Sequence, residues 1–251
     1  MTPTVETLYR YPVKGFSPEA LGEVVLEPGR PIRGDRIYAI ENGPSGFDPA
    51  APAFQPKIKF LCLMKNARLA KLRTVLEPGT HAWHVEGADG SLTAELAQPE
   101  GRAAAEAWLA AFMGEELRGP LRVLSAPGHS FSDVGKPFVS LINLASVAAL
   151  SVIIGRTVDP LRFRANINLT GWPPFAELDL VGREARLGEA RVTITKRTRR
   201  CVATNVDPAT AERDMAIPAT LQQHFDHMDC GVYAEVIEGG RVAPGDRLTL
   251  V

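Results

Sequence analysis

The chain has 251 residues, of which 45% are hydrophobic, and its 28 Lys and Arg residues against 29 Asp and Glu residues give a formal net charge of −1. This length is sufficient for one large domain or for two smaller packed domains. The near-neutral charge excludes a global electrostatic attraction to nucleic acid or to an anionic membrane, so any anion-binding site has to come from a local cluster of cations.

The N-terminal residues 1–7 lack the basic and apolar segments of a signal peptide. The longest apolar stretch, at residues 147–154, is far shorter than the ~20 residues that a membrane-spanning helix needs. We therefore expect a soluble, cytoplasmic protein without a membrane span.

The strand and helix signals are short and are separated by 22 glycines and 20 prolines. Residues rich in β-branched and aromatic side chains predict strands at 4–11, 22–26, 36–40, 191–196, 232–237 and 248–251. Helical spacing predicts helices at 100–113 and 143–154, with Asn143 as a possible N-cap, and a shorter helix at 219–224. Residues 41–56, dense in Gly, Pro and Ser, are expected to form a loop.

Many short strands with closely spaced turns are typical of barrels and sandwiches and not of a doubly wound sheet. We therefore predict a mainly β (α+β) fold of two packed β-barrel-like domains with a few helices. Gly and Pro residues cluster between 124 and 137, which places a boundary there and gives predicted domains at 1–125 and 126–251.

The three cysteines, Cys62, Cys201 and Cys230, are odd in number and lack paired spacing. This argues against a disulfide scaffold, and also against an iron–sulfur cluster in this chain, because such a cluster normally needs four thiolates. Electrons for any redox chemistry therefore have to come from a separate protein.

Cys201 follows a dense basic segment, residues 196–200 (KRTRR). Neighbouring positive charge favours the thiolate form of a cysteine, and a thiolate is a soft ligand that suits transition metals. The arginines are suited to binding a phosphate through paired hydrogen bonds. An anionic metal cofactor fits this pattern, although composition alone favours a solvated strand face with a small core cysteine. Binding of single-stranded nucleic acid is disfavoured, because no aromatic residues alternate with the cations.

Four segments in order along the chain carry a family resemblance: residues 11–15 (YPVKG), 34–36 (GDR), 162–167 (RFRANI) and 200–208 (RCVATNVDP). The last two resemble the F-R-x-N and R-C-x-x-T-x-V-D-P segments of the MOSC family, named after the C-terminal domain of molybdenum cofactor sulfurases. The first two are similar to marks of the N-terminal β-barrel domain that accompanies it. The mitochondrial amidoxime-reducing component is a related protein.

This resemblance implies a molybdenum–pterin cofactor (molybdopterin), with Cys201 as the metal ligand and catalytic residue. The other cofactor-binding residues that it implies are Lys14, Arg36, Asn143, Arg164, Asn166, Arg200 and Tyr233. The four cations of this set would neutralise the phosphate and the dithiolene of the cofactor.

The implied function is an oxidoreductase that reduces a small N-oxygenated substrate with electrons from separate redox proteins. A non-catalytic carrier of cofactor or sulfur is the alternative, and an interaction protein that has lost the cofactor is a third possibility. In close relatives, the position of Gly15 is usually Ser, and the position of Arg199 is often Ser. The position of Asn143 is frequently a small hydroxyl residue. These departures bear on the substrate more than on the cofactor.

Two other sites are possible from the residues alone. His224, His227 and Cys230 are three residues apart, and with His129 they would suit zinc if they lay on one helical stripe, whereas an ordinary loop is the simpler interpretation. Ser130, Ser132 and Asp133 beside His129 suggest hydrolase chemistry, but no nucleophile elbow precedes them.

Overall fold

The computed structural model describes residues 2–251 and is mainly β, as predicted. The strands are β1 Thr4–Arg10, β2 Glu19–Leu21, β3 Val24–Leu26, β4 Ala39–Asn42, β5 Arg73–Leu76, β6 Ala82–Gly87, β7 Gly90–Glu95, β8 Leu121–Leu124, β9 Val139–Asn143, β10 Ile167–Thr170, β11 Glu184–Leu187, β12 Ala190–Arg199, β13 Asp229–Glu238, β14 Gly240–Val242 and β15 Leu248–Leu250. The α-helices are α1 Pro99–Met113, α2 Leu144–Ile154 and α3 Ile217–Phe225.

All three predicted helices are present, and their ends follow local chemistry. Helix α2 begins after Asn143, whose side chain accepts a hydrogen bond of 3.2 Å from the backbone N–H of Ala145, and it ends at Gly155 in the left-handed conformation. Helix α1 has Pro99 in its first turn, where a missing N–H costs nothing, and ends at Gly114. Within residues 2–251, no helix has the length and apolar character that crossing a membrane requires.

Several strands differ from the prediction in their bounds, and two of these differences bear on the cation-rich segments. The strand predicted at 36–40 begins only at Ala39, because Arg36 has a φ of 54° and lies in a turn. Strand β12 extends to Arg199, so the basic segment lies within the strand except for Arg200, which directly follows it. The extension arises because β13 continues alongside and pairs Lys196 with Tyr233.

The largest sheet has eight strands in the order β15-β11-β12-β13-β9-β10-β1-β2. Its neighbours are antiparallel except for β9 and β10, which are parallel. The N-terminal strand β1 pairs with β10, and β3 pairs with β14. Early strands of the chain are therefore paired with late strands. The division at residue 125 remains a prediction, and these strand pairs cross it.

The two largest of four hydrophobic cores lie on either side of a seam, which is the boundary between the eight-stranded sheet and the part of the chain that contains β4 to β8 and α1. Inside the large sheet, Leu8 packs with Ile167, Ile194 and other buried residues of the late strands. The second core belongs to residues 13–123, where α1 packs against β7 and β8 and Trp83 is fully buried. Burial of these side chains is the main driving force that holds each half together.

Arg162 is a buried cation that ties together two loops beside the seam. Its Nη2 donates to Asp207 at 2.7 Å, its Nη1 donates to the carbonyl of Asn205 at 3.1 Å, and Nη1 also lies 2.8 Å from Asp214. Only 4% of Arg162 is exposed. Removing one partner from such a group leaves the opposite charges buried without compensation.

We predict that Arg162→Met lowers the free energy of unfolding by about 3 kcal/mol, because Asp207 and Asp214 lose their shared cation. Urea denaturation of the purified protein measures this change. Arg191→Met is the matched control, since Arg191 pairs with Glu184 and Glu238 at the surface and its loss should change stability much less. Equal effects of the two substitutions would contradict the structural role given to Arg162.

Candidate functional site

A cavity of about 270 Å³ lies at the seam between the two cores and has Cys201 in its wall. Its lining includes seven of the eight site residues predicted from the sequence, namely Lys14, Arg36, Arg164, Asn166, Arg200, Cys201 and Tyr233. Residues far apart in the chain therefore meet in one place, as the family resemblance implies.

The cavity wall is strongly electropositive. The one carboxylate among its described lining residues is Asp133, whereas nine lysines and arginines contribute, namely Lys14, Arg36, Lys57, Arg162, Arg164, Lys196, Arg197, Arg199 and Arg200. Concentrated positive charge inside a concave, partly desolvated surface attracts anions. This local excess exists although the chain as a whole carries a net charge of only −1.

Cys201 is held at the end of β12 by the turn that follows it. Its carbonyl accepts hydrogen bonds from the backbone N–H of Thr204 at 3.0 Å and from the hydroxyl of Thr204 at 2.9 Å. This closes the short 3₁₀ turn Val202–Asn205 and explains the threonine three positions after the cysteine. The Cys201 side chain is partly exposed to the cavity, whereas Cys62 and Cys230 are buried.

A chain of charged groups connects Lys14 to Cys201 across the cavity. Lys14 Nζ donates to the Phe131 carbonyl at 2.9 Å and to one oxygen of Asp133. Lys57 Nζ donates to the other oxygen of Asp133 at 3.1 Å and lies 3.4 Å from Cys201 Sγ. Burial alone would raise the pKa of Asp133, but the positive charges of Lys14 and Lys57 lower it by a larger amount. The pKa therefore lies below its ordinary value, and the carboxylate is ionised.

Asp35 is the buried carboxylate that joins the early motifs to the late ones. Its Oδ1 accepts from the backbone N–H of Tyr11 at 2.8 Å and from the side-chain amide of Asn166 at 3.2 Å. Its Oδ2 accepts from Arg36, whose other terminal nitrogen donates to the carbonyl of Arg164 at 3.2 Å. Asp35 therefore fixes the direction in which Arg36 enters the cavity wall.

The side-chain amide of Asn166 makes all of its hydrogen bonds to other groups of the protein. Its Oδ1 accepts from both the backbone N–H and the hydroxyl of Ser140, and its Nδ2 donates to Asp35 and to the carbonyl of Tyr9. A side-chain amide has two donors and two acceptor lone pairs. Asn166 thus braces the cavity wall and has no remaining amide hydrogen for a ligand, in contrast to the direct contact that the sequence motif implied.

Arg164 is the least compensated charge in the cavity wall. Nη1 donates to the carbonyl of Phe16 at 2.8 Å, whereas the buried Nη2 has no hydrogen-bond partner among the described residues. The guanidinium carbon lies 4.2 Å from the centre of the Tyr11 ring. Burial lowers the pKa of Arg164 to about 10, and the neighbouring Arg36 contributes to this. An anion placed here would remove this penalty.

Arg200 directly follows β12, and only 8% of it is exposed. Its Nε donates to the carbonyl of Cys230 at 2.6 Å and its Nη1 to that of Phe163 at 2.8 Å, so the side chain links three segments of the backbone. The buried Nη2 and the nearby hydroxyl of Thr198 have no hydrogen-bond partner within residues 2–251. Arg200 therefore combines a bracing role with one unused donor.

Asn143 is not among the residues that line the cavity, and its predicted place in the cofactor site stays a prediction. It is fully buried, its oxygen caps α2, and its nitrogen donates to the carbonyl of Pro173 at 2.7 Å. Tyr233, by contrast, lines the cavity, next to Phe138 and with Lys196 Nζ 5.4 Å from its ring centre.

Lys57, Cys62 and Phe138 are cavity residues that sequence analysis did not identify. Lys57 lies at the end of a Gly- and Pro-rich loop without any motif, so no local signal predicts its position. Gly15 has a structural reason for its identity, since its φ is 89° and a Cβ there would lie 2.8 Å from the Leu61 carbonyl oxygen. A serine would be strained in this conformation.

The two alternative sites are not formed. Residues 2–251 contain no group of three or more His, Cys, Asp or Glu side chains arranged to hold a metal, and Cys230 points into the core away from solvent. In the hydrolase alternative, Ser130 and Ser132 donate to backbone carbonyls, and Asp133 is bound by lysines.

We predict that iodoacetamide at about pH 8 modifies Cys201 much faster than Cys62 or Cys230 in the folded protein. Burial raises the pKa of the Cys62 thiol and raises that of Cys230 to about 12, so both remain protonated and inaccessible. Mass spectrometry of the modified peptides measures the three rates, and all three should react in urea. Folded protein in which Cys230 reacts as fast as Cys201 would show that the burial order is wrong.

A family model described as MOSC domain matches residues 129–249. Among solved structures, YiiM from Geobacillus stearothermophilus is 22% identical over 45% of this chain and 53% of its own, with a TM-score of 0.37, so the match spans about half of that protein. The YUAD protein from Bacillus subtilis is 13% identical over 100% of this chain and 96% of its own, with a TM-score of 0.47. No curated protein matches the chain. Three residues of the cavity wall, Arg164, Cys201 and Tyr233, lie within residues 129–249. This part of the chain is a MOSC domain.

Proposed function

We propose that this chain binds a molybdenum–pterin cofactor in the Cys201 cavity and uses it to reduce N-oxygenated compounds. The MOSC domain family is associated with binding of the molybdenum cofactor. The observation that carries the proposal is the buried charge of Arg164, which has no direct carboxylate partner and lies in the same wall as an accessible thiol. An anionic ligand with a thiophilic metal satisfies both groups.

The donor set of the cavity fits such a cofactor. Arg164, Arg200 and Thr198 each have a buried polar atom without a partner in the described chain, so all three have hydrogen-bonding capacity that a ligand can use. A buried donor without a partner costs about 1–3 kcal/mol. Phosphate, dithiolene and the pterin ring edge offer the acceptors that these donors lack, and the positive wall offsets their charge.

Each residue of the wall has a separate task in this proposal. Cys201 is the protein ligand of the metal. Arg164 and Arg200 bind the anionic part of the cofactor through their free nitrogens, whereas Lys14 and Arg36, both held by carboxylates, contribute charge. When bound, the molybdenum centre would supply the electrons that remove oxygen from nitrogen.

The reaction requires two electrons and two protons, which convert an N-hydroxylated compound into the amine or its equivalent and water. The chain has only three cysteines and no iron–sulfur motif, so the electrons come from a separate redox protein. A cytoplasmic location belongs to the same proposal. Its support is that all three cysteines are free thiols, as a reducing compartment would keep them.

We predict that Cys201→Ala abolishes molybdenum retention while the protein still unfolds cooperatively. Elemental and pterin analysis of protein purified from a molybdenum-competent host measures this, with about one molybdenum per chain expected in the unaltered protein. Cys62→Ala is the matched control, because it removes a thiol from the same cavity wall without removing the proposed ligand. Unchanged molybdenum in Cys201→Ala would refute the assignment of the ligand.

Turnover separates an enzyme from a carrier of cofactor or sulfur. We expect the molybdenum-loaded protein to convert an N-hydroxylated amidine to the amidine with a chemical reductant, and Cys201→Ala to show no conversion above the buffer rate. Chromatographic quantification of the product measures the rate. Loaded protein without turnover would favour the carrier, and protein that never takes up cofactor would favour an interaction protein.

A further inference from the structure

Lys57 reaches the Cys201 sulfur from the opposite half of the molecule. Its Nζ is 3.4 Å from Cys201 Sγ and 3.1 Å from Asp133 Oδ2, and 29% of its side chain is exposed. Within residues 2–251, it is the one side chain that is hydrogen-bonded to this sulfur. A ligand that approaches Cys201 therefore meets the ammonium group of Lys57.

The loop that carries Lys57 is fixed by other residues. Lys59 Nζ donates to the carbonyl of Ser45 and to Gln55 at 2.9 Å, and Arg118 donates to the carbonyl of Ile58. After the loop, the backbone N–H of Leu61 donates to the carbonyl of Ile40 in β4 at 2.8 Å. Lys57 makes none of these contacts, since its side chain bonds only to groups of the cavity. Its position therefore serves the cavity and not the loop.

The charge around Lys57 is incompletely balanced. One carboxylate, that of Asp133, is shared between Lys14 and Lys57, so the two ammonium groups exceed it by one positive charge. An ammonium group has three N–H donors. Asp133 and Cys201 take two of them, and the third is free to bind an acceptor in the partly exposed cavity.

We propose that Lys57 is a specificity-determining residue whose ammonium group binds the negatively charged oxygen of a ligand beside the sulfur of Cys201. The site thereby favours anions and strongly polar N–O or carboxylate oxygens over neutral, weakly polar groups at this position. For turnover, the inference rests on the proposed function, because it assigns Lys57 to the oxygen-bearing end of the substrate. The anion preference at the sulfur is independent of molybdenum.

The test compares two alkylating reagents of similar size, iodoacetate and iodoacetamide, on the purified full chain without cofactor. Both displace iodide by attack of the same thiolate, so the ratio of their rates at Cys201 does not depend on how much thiolate is present. The ratio reports only how strongly the site favours or disfavours a negatively charged reagent over a neutral one. We expect Lys57→Met to lower the iodoacetate-to-iodoacetamide rate ratio about fivefold, as the loss of one cation at contact distance predicts. Salt at about 1 M should lower the ratio of the unaltered protein in the same direction.

Lys71→Met is the matched control, since it removes the same charge from an exposed lysine outside both the cavity lining and the loop that carries Lys57. It should leave the ratio within the experimental error, and Lys57→Arg should restore most of the ratio lost in Lys57→Met. Thermal melts establish that each variant is folded. An unchanged ratio in Lys57→Met, or an equal fall in Lys71→Met, would overturn the proposal. Failure to find molybdenum in the unaltered protein would refute the proposed function but would leave this ratio unaffected, so the two outcomes can be told apart.

Discussion

The carboxylate of Asp35 accepts hydrogen bonds from the Tyr11 backbone, the Asn166 amide and the Arg36 guanidinium, and it does so at the seam between the two cores. Arg36 in turn donates a hydrogen bond to the carbonyl of Arg164, and the guanidinium of Arg164 lies beside the ring of Tyr11. A buried carboxylate with several directed donors is a rigid junction, because loss of any donor leaves charge without compensation. The arrangement of cations in the cavity depends on this junction.

The cavity concentrates charge that the protein does not neutralise. Lys14, Arg36 and Arg162 have carboxylate partners, whereas Arg164 and Arg200 bond only to backbone carbonyls. Such an arrangement lowers stability in the absence of a ligand, and the same free energy becomes available for binding an anion. The cations with carboxylate partners therefore build the wall, whereas Arg164 and Arg200 have spare hydrogen-bonding capacity.

The sequence motifs predicted the meeting of Lys14, Arg36, Arg164 and Cys201, because each motif marks a local turn whose form is set by nearby residues. They did not predict which side chains are already occupied. Asn166 and Asn143 carry the same amide, and only the tertiary contacts decide that Asn166 braces the cavity and that Asn143 caps a helix. Lys57 had no signal at all, since its approach to Cys201 is produced by the closure of a long loop and not by any local pattern. The basic strand β12 was predicted too short because its pairing with β13 is a long-range property.

The pairing of β1 with β10 has a consequence for how the protein is made. Thr4 lies beside Thr170, and the first strand also bridges to Arg247, so the sheet cannot close until the residues up to Arg247 have left the ribosome. Contacts of such long sequence separation slow folding and leave early strands without partners during synthesis. The cavity wall, which includes residues from Lys14 to Tyr233, therefore forms only after Tyr233 has been synthesised and has left the ribosome. Any cofactor that the cavity receives has to be inserted after these distant segments have come together, and not while the first half of the cavity wall is emerging.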